Sequence, residues 1–195
     1  MIAALVLAGG ASKRLGRPKQ IEPWGGGTLL GHVLTEVAKG PFAERFVVLG
    51  ADVDRILQEI DFTGWVVVEN PEWESGMSSS LRVGLDALMR LTRAESVAIF
   101  LGDQPEIDHD VVAGLMAARR RTKRQVIVPK YRYEWGNPVV VERPLWDRLM
   151  SLEGDAGAKA LFRAHPEWVE EVWFEARPPR DVDTADDIED MRPKR

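Results

Sequence analysis

Short, continuous apolar runs alternate along this chain with amphipathic stretches, and that alternation restricts the fold more than any other feature. Ile2–Leu7 is an apolar run bounded by glycine, as a buried strand would be. Leu29–Lys39 then carries Leu29, Leu30, Val33, Leu34 and Val37 on one helical stripe. Arg45–Leu49 reads as a strand, and Asp52 is placed to cap a helix over Val53–Ile60. Trp65–Glu69 is a strand closed by Asn70-Pro71, and Ser78–Leu91 is a helix burying Leu81, Leu85, Leu88 and Met89. Val97–Leu101 has the unbroken apolar character of a central parallel strand. Val111–Arg121 is helical and Val126–Pro129 a strand. Strands alternating with helices predict βαβ units, hence an α/β fold with a mostly parallel sheet covered on both faces. Ligands of such sheets sit beyond the carboxyl ends of the strands, so the loops that follow strands carry the function.

The pattern loosens after Pro129. Val139–Val141 and Val169–Phe174 read as strands, and Pro144–Met150 and Ala156–His165 as helices. This segment is expected to add an antiparallel strand and form the far wall of the crevice. At 195 residues the expectation is one domain, 1–195. A net charge of −5 argues against a broad nucleic-acid surface, so any anion site must be a local concentration of cations. With no cysteine there is no disulfide framework, thiolate nucleophile or Cys-based zinc site, which suits a cytoplasmic location. No run reads as a signal peptide or is long enough to span a bilayer, so no membrane role is expected.

The loop after the first strand, Gly9-Gly10-Ala11-Ser12-Lys13-Arg14-Leu15-Gly16-Arg17-Pro18-Lys19, combines glycines, a hydroxyl and four cations. Glycine lets backbone amides approach a ligand, successive N–H groups form an anion-binding concavity, and Lys and Arg add full charge. Polyphosphate fits this chemistry, against the plainer alternative of a solvated turn. The spacing is neither that of a P-loop nor G-x-G-x-x-G.

Asp103, in Leu101-Gly102-Asp103-Gln104-Pro105, follows the most apolar strand and reaches the same crevice rim. A carboxylate facing polyphosphate calls for an intervening cation, and Mg²⁺ is bound by one or two carboxylates plus phosphate oxygens. Asp181 or Asp183 can complete that pair, while Asp183 or Thr184 can also cap a helix over Ala185–Met191. Asn70 to Leu81 ends a strand and opens a helix, with Gly76, Ser78, Ser79 and Ser80 offering an anion- or sugar-binding surface or simply a cap. Gly154-Asp155-Ala156-Gly157-Ala158 is either an Asp-capped helix start or a substrate loop. The run Arg119–Arg124 reads as a solvated helix end. His32, His109 and His165 are dispersed and suggest no metal cluster, and Trp135 beside Gly136-Asn137-Pro138 can line a pocket.

Taken in order, these loops resemble the MobA-like nucleotidyltransferases. Leu7-Ala8-Gly9-Gly10-x-Ser12-x-Arg14-x-Gly16-x-Pro18-Lys19 is similar to that family's signature. Leu101-Gly102-Asp103-Gln104-Pro105 and Asn70-Pro71 through Gly76-Met77-Ser78-Ser79-Ser80-Leu81 resemble its molybdenum cofactor cytidylyltransferase (MocA-like) branch. Gly136-Asn137-Pro138, Gly154-Asp155-x-Gly157-Ala158 and Asp181-Val182-Asp183-Thr184 follow in the expected order. The resemblance implies a Rossmann-like, nucleotide-diphospho-sugar transferase-like fold. It implies transfer of a nucleoside monophosphate from an NTP, CTP favoured with GTP the alternative, to a phosphorylated pterin-type acceptor such as molybdopterin, releasing pyrophosphate. Leu7, Ala8, Gly9, Gly10, Ser12, Arg14, Lys19, Ser80 and Gly102 would hold the nucleotide, with Arg14, Lys19 and Asp103 in catalytic roles. Asp103 and Asp183 would hold Mg²⁺. Gly76, Ser78, Ser79, Asn137, Gly154, Asp155 and Gly157 would face the acceptor. A monomer or weak homo-oligomer is expected, with a molybdoenzyme as a partner. The competing readings are an NAD(P)-dependent oxidoreductase and a non-catalytic cofactor-handling protein on the same fold.

Overall fold

The first apolar run forms a strand, β1 (Ile2–Ala8), buried from Ala3 onward. It is followed by a two-stranded ribbon, β2 (Pro23–Trp24) and β3 (Gly27–Thr28), and then by α1 (Leu29–Ala38), β4 (Glu44–Leu49), α2 (Val53–Glu59) and β5 (Val66–Glu69). Next come α3 (Met77–Leu91), β6 (Ser96–Leu101), α4 (His109–Arg121), β7 (Val126–Tyr131), β8 (Glu134–Trp135) and β9 (Val139–Glu142). The chain finishes with α5 (Trp146–Met150), α6 (Ala158–Ala164), β10 (Val169–Phe174) and α7 (Ala185–Met191). This computed structural model describes residues 1–154 and 158–193, so the predicted acceptor-facing Asp155 and Gly157 lie outside the described residues.

The main sheet runs β10-β7-β9-β6-β1-β4-β5, with β8 paired to β7. β1 is parallel to both β4 and β6, and β5 and β10 are parallel to β4 and β7. The antiparallel strand expected from the second half is β9, inserted between β6 and β7. The path from β7 to β9 is too short for a crossover, so the strand can only return antiparallel. Period-2 alternation divides the core. Ala4, Val6 and Ala8 of β1 face a layer containing Leu30, Val33, Ile56 and Leu115 from α1, α2 and α4. Ala3, Leu5 and Leu7 face Leu85 and Leu88 of α3, with Trp146 and Phe162 of α5 and α6 in the same layer. This is the predicted α/β arrangement, helices on both faces of a mostly parallel sheet.

Several boundaries move for identifiable reasons. Asp52 precedes α2 but adopts a left-handed φ of 55° and makes no side-chain cap bond. Asp108 caps α4 by accepting from the Asp110 and Val111 amides, which draws the helix start back to His109. α3 starts at Met77, so Ser78, Ser79 and Ser80 lie in its first turn and none of them caps it. Pro144 occupies a 3₁₀ turn over Arg143–Leu145, ahead of α5. At α7 the cap is Thr184, which accepts from the Asp187 amide while the Asp187 carboxylate accepts from the Thr184 amide.

Candidate functional site

After β1 the chain steps to β4 and β5 on one side, then crosses to β6 on the other side of β1. The strand order therefore reverses at β1 and β6, and the loops leaving their carboxyl ends meet there. They enclose a cleft with a volume of about 560 Å³. Its floor is the end of β1 (Leu7, Ala8) with Gly9, Gly10 and Gly102. Ser12, Arg14 and Lys19 line one wall, and Asp103 and Asp183 stand opposite. Gly76, Ser80 and Gly154 complete it.

The glycine loop is held open from below. Gln20 is buried, and its Nε2 donates to the carbonyls of Ala8 (2.8 Å) and Gly10 (2.9 Å). Ser12 adopts a φ of 51°, its carbonyl accepts the Leu15 and Gly16 amides, and its Oγ accepts the Lys19 amide at 3.0 Å. Glycine at position 9 follows from crowding, because a Cβ there would come within 2.7 Å of Ser80 Oγ. No α-helix begins at this loop. The chain passes through a 3₁₀ turn over Lys19–Ile21, and α1 starts only at Leu29. Phosphates here would meet loop amides and side-chain cations rather than a helix N-terminus.

Those cations face a carboxylate pair. Lys19 Nζ lies 2.7 Å from Asp103 Oδ2 and 2.9 Å from Asp183 Oδ1. Arg14 Nη2 lies 2.7 Å from Asp183 Oδ2. Asp103 Oδ1 is buried and has no hydrogen-bond partner among the described residues. The two loops that carry the carboxylates are joined through the backbone, since the Val182 amide donates to the Asp103 carbonyl at 2.9 Å. Burial raises the Asp103 pKa above the usual carboxylate value, with Lys19 opposing and Asp181 and Asp183 adding to the rise. Burial works against the Lys19 charge, yet Asp103 and Asp183 outweigh it and raise the lysine pKa.

Of the two aspartates in the last loop, Asp183 is the one brought to Lys19. Asp181 turns the other way and its Oδ1 accepts from Gln104 Nε2 at 2.7 Å. Gln104 Oε1 in turn accepts from Asn137 Nδ2 at 3.1 Å. Asn137 therefore braces the Asp103 loop and lies outside the cleft lining. Ser78 and Ser79 are buried behind it, with the Ser78 amide donating to the Gly154 carbonyl and Ser79 Oγ bonded to the Glu72 and Gly76 carbonyls. Asn70, 1% exposed, donates to Ser79 Oγ (2.8 Å) and Ser80 Oγ (3.0 Å). No sequence pattern marks the bracing roles of Gln20, Asn70 and Gln104. Each is a buried polar residue beside a predicted loop, and burial is the one signal that periodicity gives only for apolar side chains.

Among the described residues no group of three or more His, Cys, Asp or Glu is arranged to hold a metal. Two carboxylates at a cleft suit a hard divalent ion that takes its remaining ligands from water and phosphate. The orphaned, buried Asp103 oxygen and the ammonium already bridging the pair fit a position built for positive charge. No helix of the described residues is long and apolar enough to cross a membrane.

A Rossmann-type sheet with a cationic glycine loop set against two carboxylates defines a nucleotidyltransferase-type α/β enzyme. The chain belongs to the MobA-like NTP transferase domain family, whose model matches residues 4–169. Nicotine blue oxidoreductase from Paenarthrobacter nicotinovorans is 29% identical over 196 residues, 96% of this chain and 94% of that protein. A probable molybdenum cofactor guanylyltransferase from Bacillus thuringiensis is 29% identical over 108 residues, covering 55% of this chain and 52% of that protein. The crystal structure of Rv0371c from Mycobacterium tuberculosis in complex with manganese superposes with a TM-score of 0.81 at 29% identity, covering 98% of this chain and 97% of that one.

Proposed function

We propose that this enzyme transfers a nucleoside monophosphate from an NTP to a phosphate monoester of the pterin type, releasing pyrophosphate. The observation that carries the reading is the Lys19 ammonium held between Asp103 and Asp183 across from the Gly9-Gly10 loop. Such a site offers amides and cations to a triphosphate and a carboxylate pair to the ion that accompanies it.

In the reaction an acceptor phosphate oxygen forms a bond to the α-phosphorus. The bridging oxygen between the α- and β-phosphates leaves with the electron pair as part of pyrophosphate. A phosphate monoester is largely ionised near neutral pH, so no proton must be removed and no general base is needed. Catalysis is then positioning and charge neutralisation. The Gly9 and Gly10 region orients the triphosphate, Arg14 and Lys19 hold the β- and γ-phosphates, and Lys19 stabilises charge growing on the leaving pyrophosphate. Ser80 orients the nucleoside, and Gly76 and Gly154 line the acceptor side. Asp103 and Asp183 would hold Mg²⁺, which when bound neutralises the α-phosphate against the incoming anion.

The test is pyrophosphate release from CTP, GTP, ATP and UTP, with Mg²⁺ and with a phosphorylated pterin acceptor. Release with one nucleotide is expected, favouring CTP, and Asp103→Ala is expected to remove it while leaving the circular dichroism spectrum unchanged. Full turnover in Asp103→Ala would defeat the metal assignment. The oxidoreductase reading is motivated by the full-length relative from Paenarthrobacter nicotinovorans. Oxidation of NADH or NADPH without pyrophosphate release would favour it over transfer.

A further inference from the structure

Three of the four oxygens of the carboxylate pair are already engaged by the protein's own cations. Asp103 Oδ2 and Asp183 Oδ1 both face Lys19 Nζ, and Asp183 Oδ2 faces Arg14. The one oxygen left, Asp103 Oδ1, is buried. Two carboxylates and two cations make a charge-balanced cluster, and the Lys19 side chain is only 13% exposed within it. A divalent ion added to that cluster would sit against an ammonium in a poorly solvated place, where like charges repel strongly.

Resting on the metal reading above, we infer that Lys19 and a divalent cation compete for the Asp103–Asp183 pair, so the ion binds tightly only with a triphosphate that draws Lys19 away.

The architecture suits such an exchange. The Lys19 amide is fixed by Ser12 Oγ and its neighbour Gln20 is clamped to the glycine loop. The root of the lysine therefore stays in the loop while its flexible stem can pivot between carboxylates and phosphates. The two loops that carry the carboxylates stay joined without it, through the bond from the Val182 amide to the Asp103 carbonyl. A triphosphate supplies the negative charge that Lys19 and Arg14 give up on leaving the aspartates. The ion then takes the aspartates. Binding of the nucleotide and of the ion is thereby coupled, and coupling of this kind is reciprocal.

Mn²⁺ binding, followed by electron paramagnetic resonance of the free ion, tests this without reference to turnover. In the absence of nucleotide, wild type is expected to bind Mn²⁺ weakly, and Lys19→Met at least tenfold more tightly. Lys19→Arg keeps the charge and is expected to stay as weak as wild type. Lys19→Gln serves as a second neutral variant should Lys19→Met fold poorly. Adding Asp103→Asn to the neutral variant should abolish the gain, locating the ion. If the neutral variants bind Mn²⁺ no better than wild type, while wild type takes up Mn²⁺ with a non-hydrolysable CTP or GTP analogue, competition is wrong and the metal reading survives. If no protein takes up Mn²⁺ at Asp103 with either analogue, the metal reading fails and the competition falls with it.

Discussion

At the scale of single residues, the cleft depends on buried polar groups held in place by their neighbours. Asn70 is the clearest case. Its Nδ2 donates to Ser79 and Ser80 while its Oδ1 accepts the Glu72 amide at 3.0 Å. Ser80 Oγ accepts from Asn70 at the cleft wall, so under the proposed function its hydroxyl proton would be the part offered to a bound nucleotide. Asn70 is thus a positioning residue. Truncation to alanine leaves buried hydroxyls short of a donor, which costs about 1–3 kcal/mol. Asn70→Ala is expected to lower stability by about 2 kcal/mol in urea unfolding. It should also weaken nucleotide binding, and Asn70→Asp, which cannot donate, should not restore that binding. Ser80→Ala should weaken the nucleotide with a smaller loss of stability, since it leaves one Asn70 N–H without its acceptor while the bonds to Ser79 and Glu72 remain. Equal nucleotide affinity in wild type and Asn70→Ala would show that Ser80 needs no such orientation.

At the scale of elements, the apolar strands and the amphipathic helices were legible because their periods differ and their buried faces are long. β1, β4, β6, α1 and α3 all appear within a few residues of their expected bounds. The ends were less legible, because a cap depends on geometry as well as residue type. Asp52 has the right side chain in a left-handed backbone and does not cap, while the less conspicuous Asp108 does. In the last loop Thr184 takes the cap and leaves Asp183 for the cleft. The contact between α1 and α4 was not legible at all, since it joins residues distant in sequence. Glu36 Oε2 on α1 lies 2.9 Å from His109 Nε2 at the start of α4, and its other oxygen pairs with Lys39. The hydrogen bonds from Lys39 and then His109 hold the Glu36 pKa below the usual carboxylate value. A carboxylate depressed in the folded state stabilises above its unfolded pKa of about 4.3 and loses that contribution as pH falls through the folded value. Glu36→Gln is therefore expected to lower the melting temperature slightly at pH 7, the pair being near the surface and screened. The difference from wild type should shrink as the pH is taken below about 4. A difference that stays constant from pH 7 to pH 3 would mean that the ionised carboxylate contributes nothing to the clasp.

At the scale of the whole molecule, the sheet decides where the chemistry is and the loops decide what it is. Gly9 and Asp103 are far apart in sequence, yet β1 and β6 pair directly, Leu7 opposite Leu101, so their following loops must face each other. That much followed from the alternation of strands and helices. The carboxylate partner did not, because Asp183 reaches the cleft from a segment beyond the edge strand β10, and no local pattern separates it from Asp181. The fold does so: Asp181 accepts from Gln104, and Asp183 meets Lys19. A cleft assembled from five separate segments of the chain should be tied together by its ligand, and mass action makes that measurable. A ligand present at a hundredfold excess over its dissociation constant stabilises the native state by about 2.7 kcal/mol. For a chain of this size that corresponds to a rise in melting temperature of roughly 5–10 °C. Among CTP, GTP, ATP and UTP, one nucleotide is expected to give such a rise in the presence of Mg²⁺ and a smaller one without it. Asp103→Asn should remove the Mg²⁺-dependent increment but keep the part due to the glycine loop, because Gly9, Gly10 and Arg14 are untouched. Gln20→Ala should do the reverse, weakening the shift with and without metal, since it releases the carbonyls that hold the loop open. Loss of both parts in Asp103→Asn would mean that the carboxylate shapes the loop itself, and the division of labour between the two sides of the cleft would have to be abandoned.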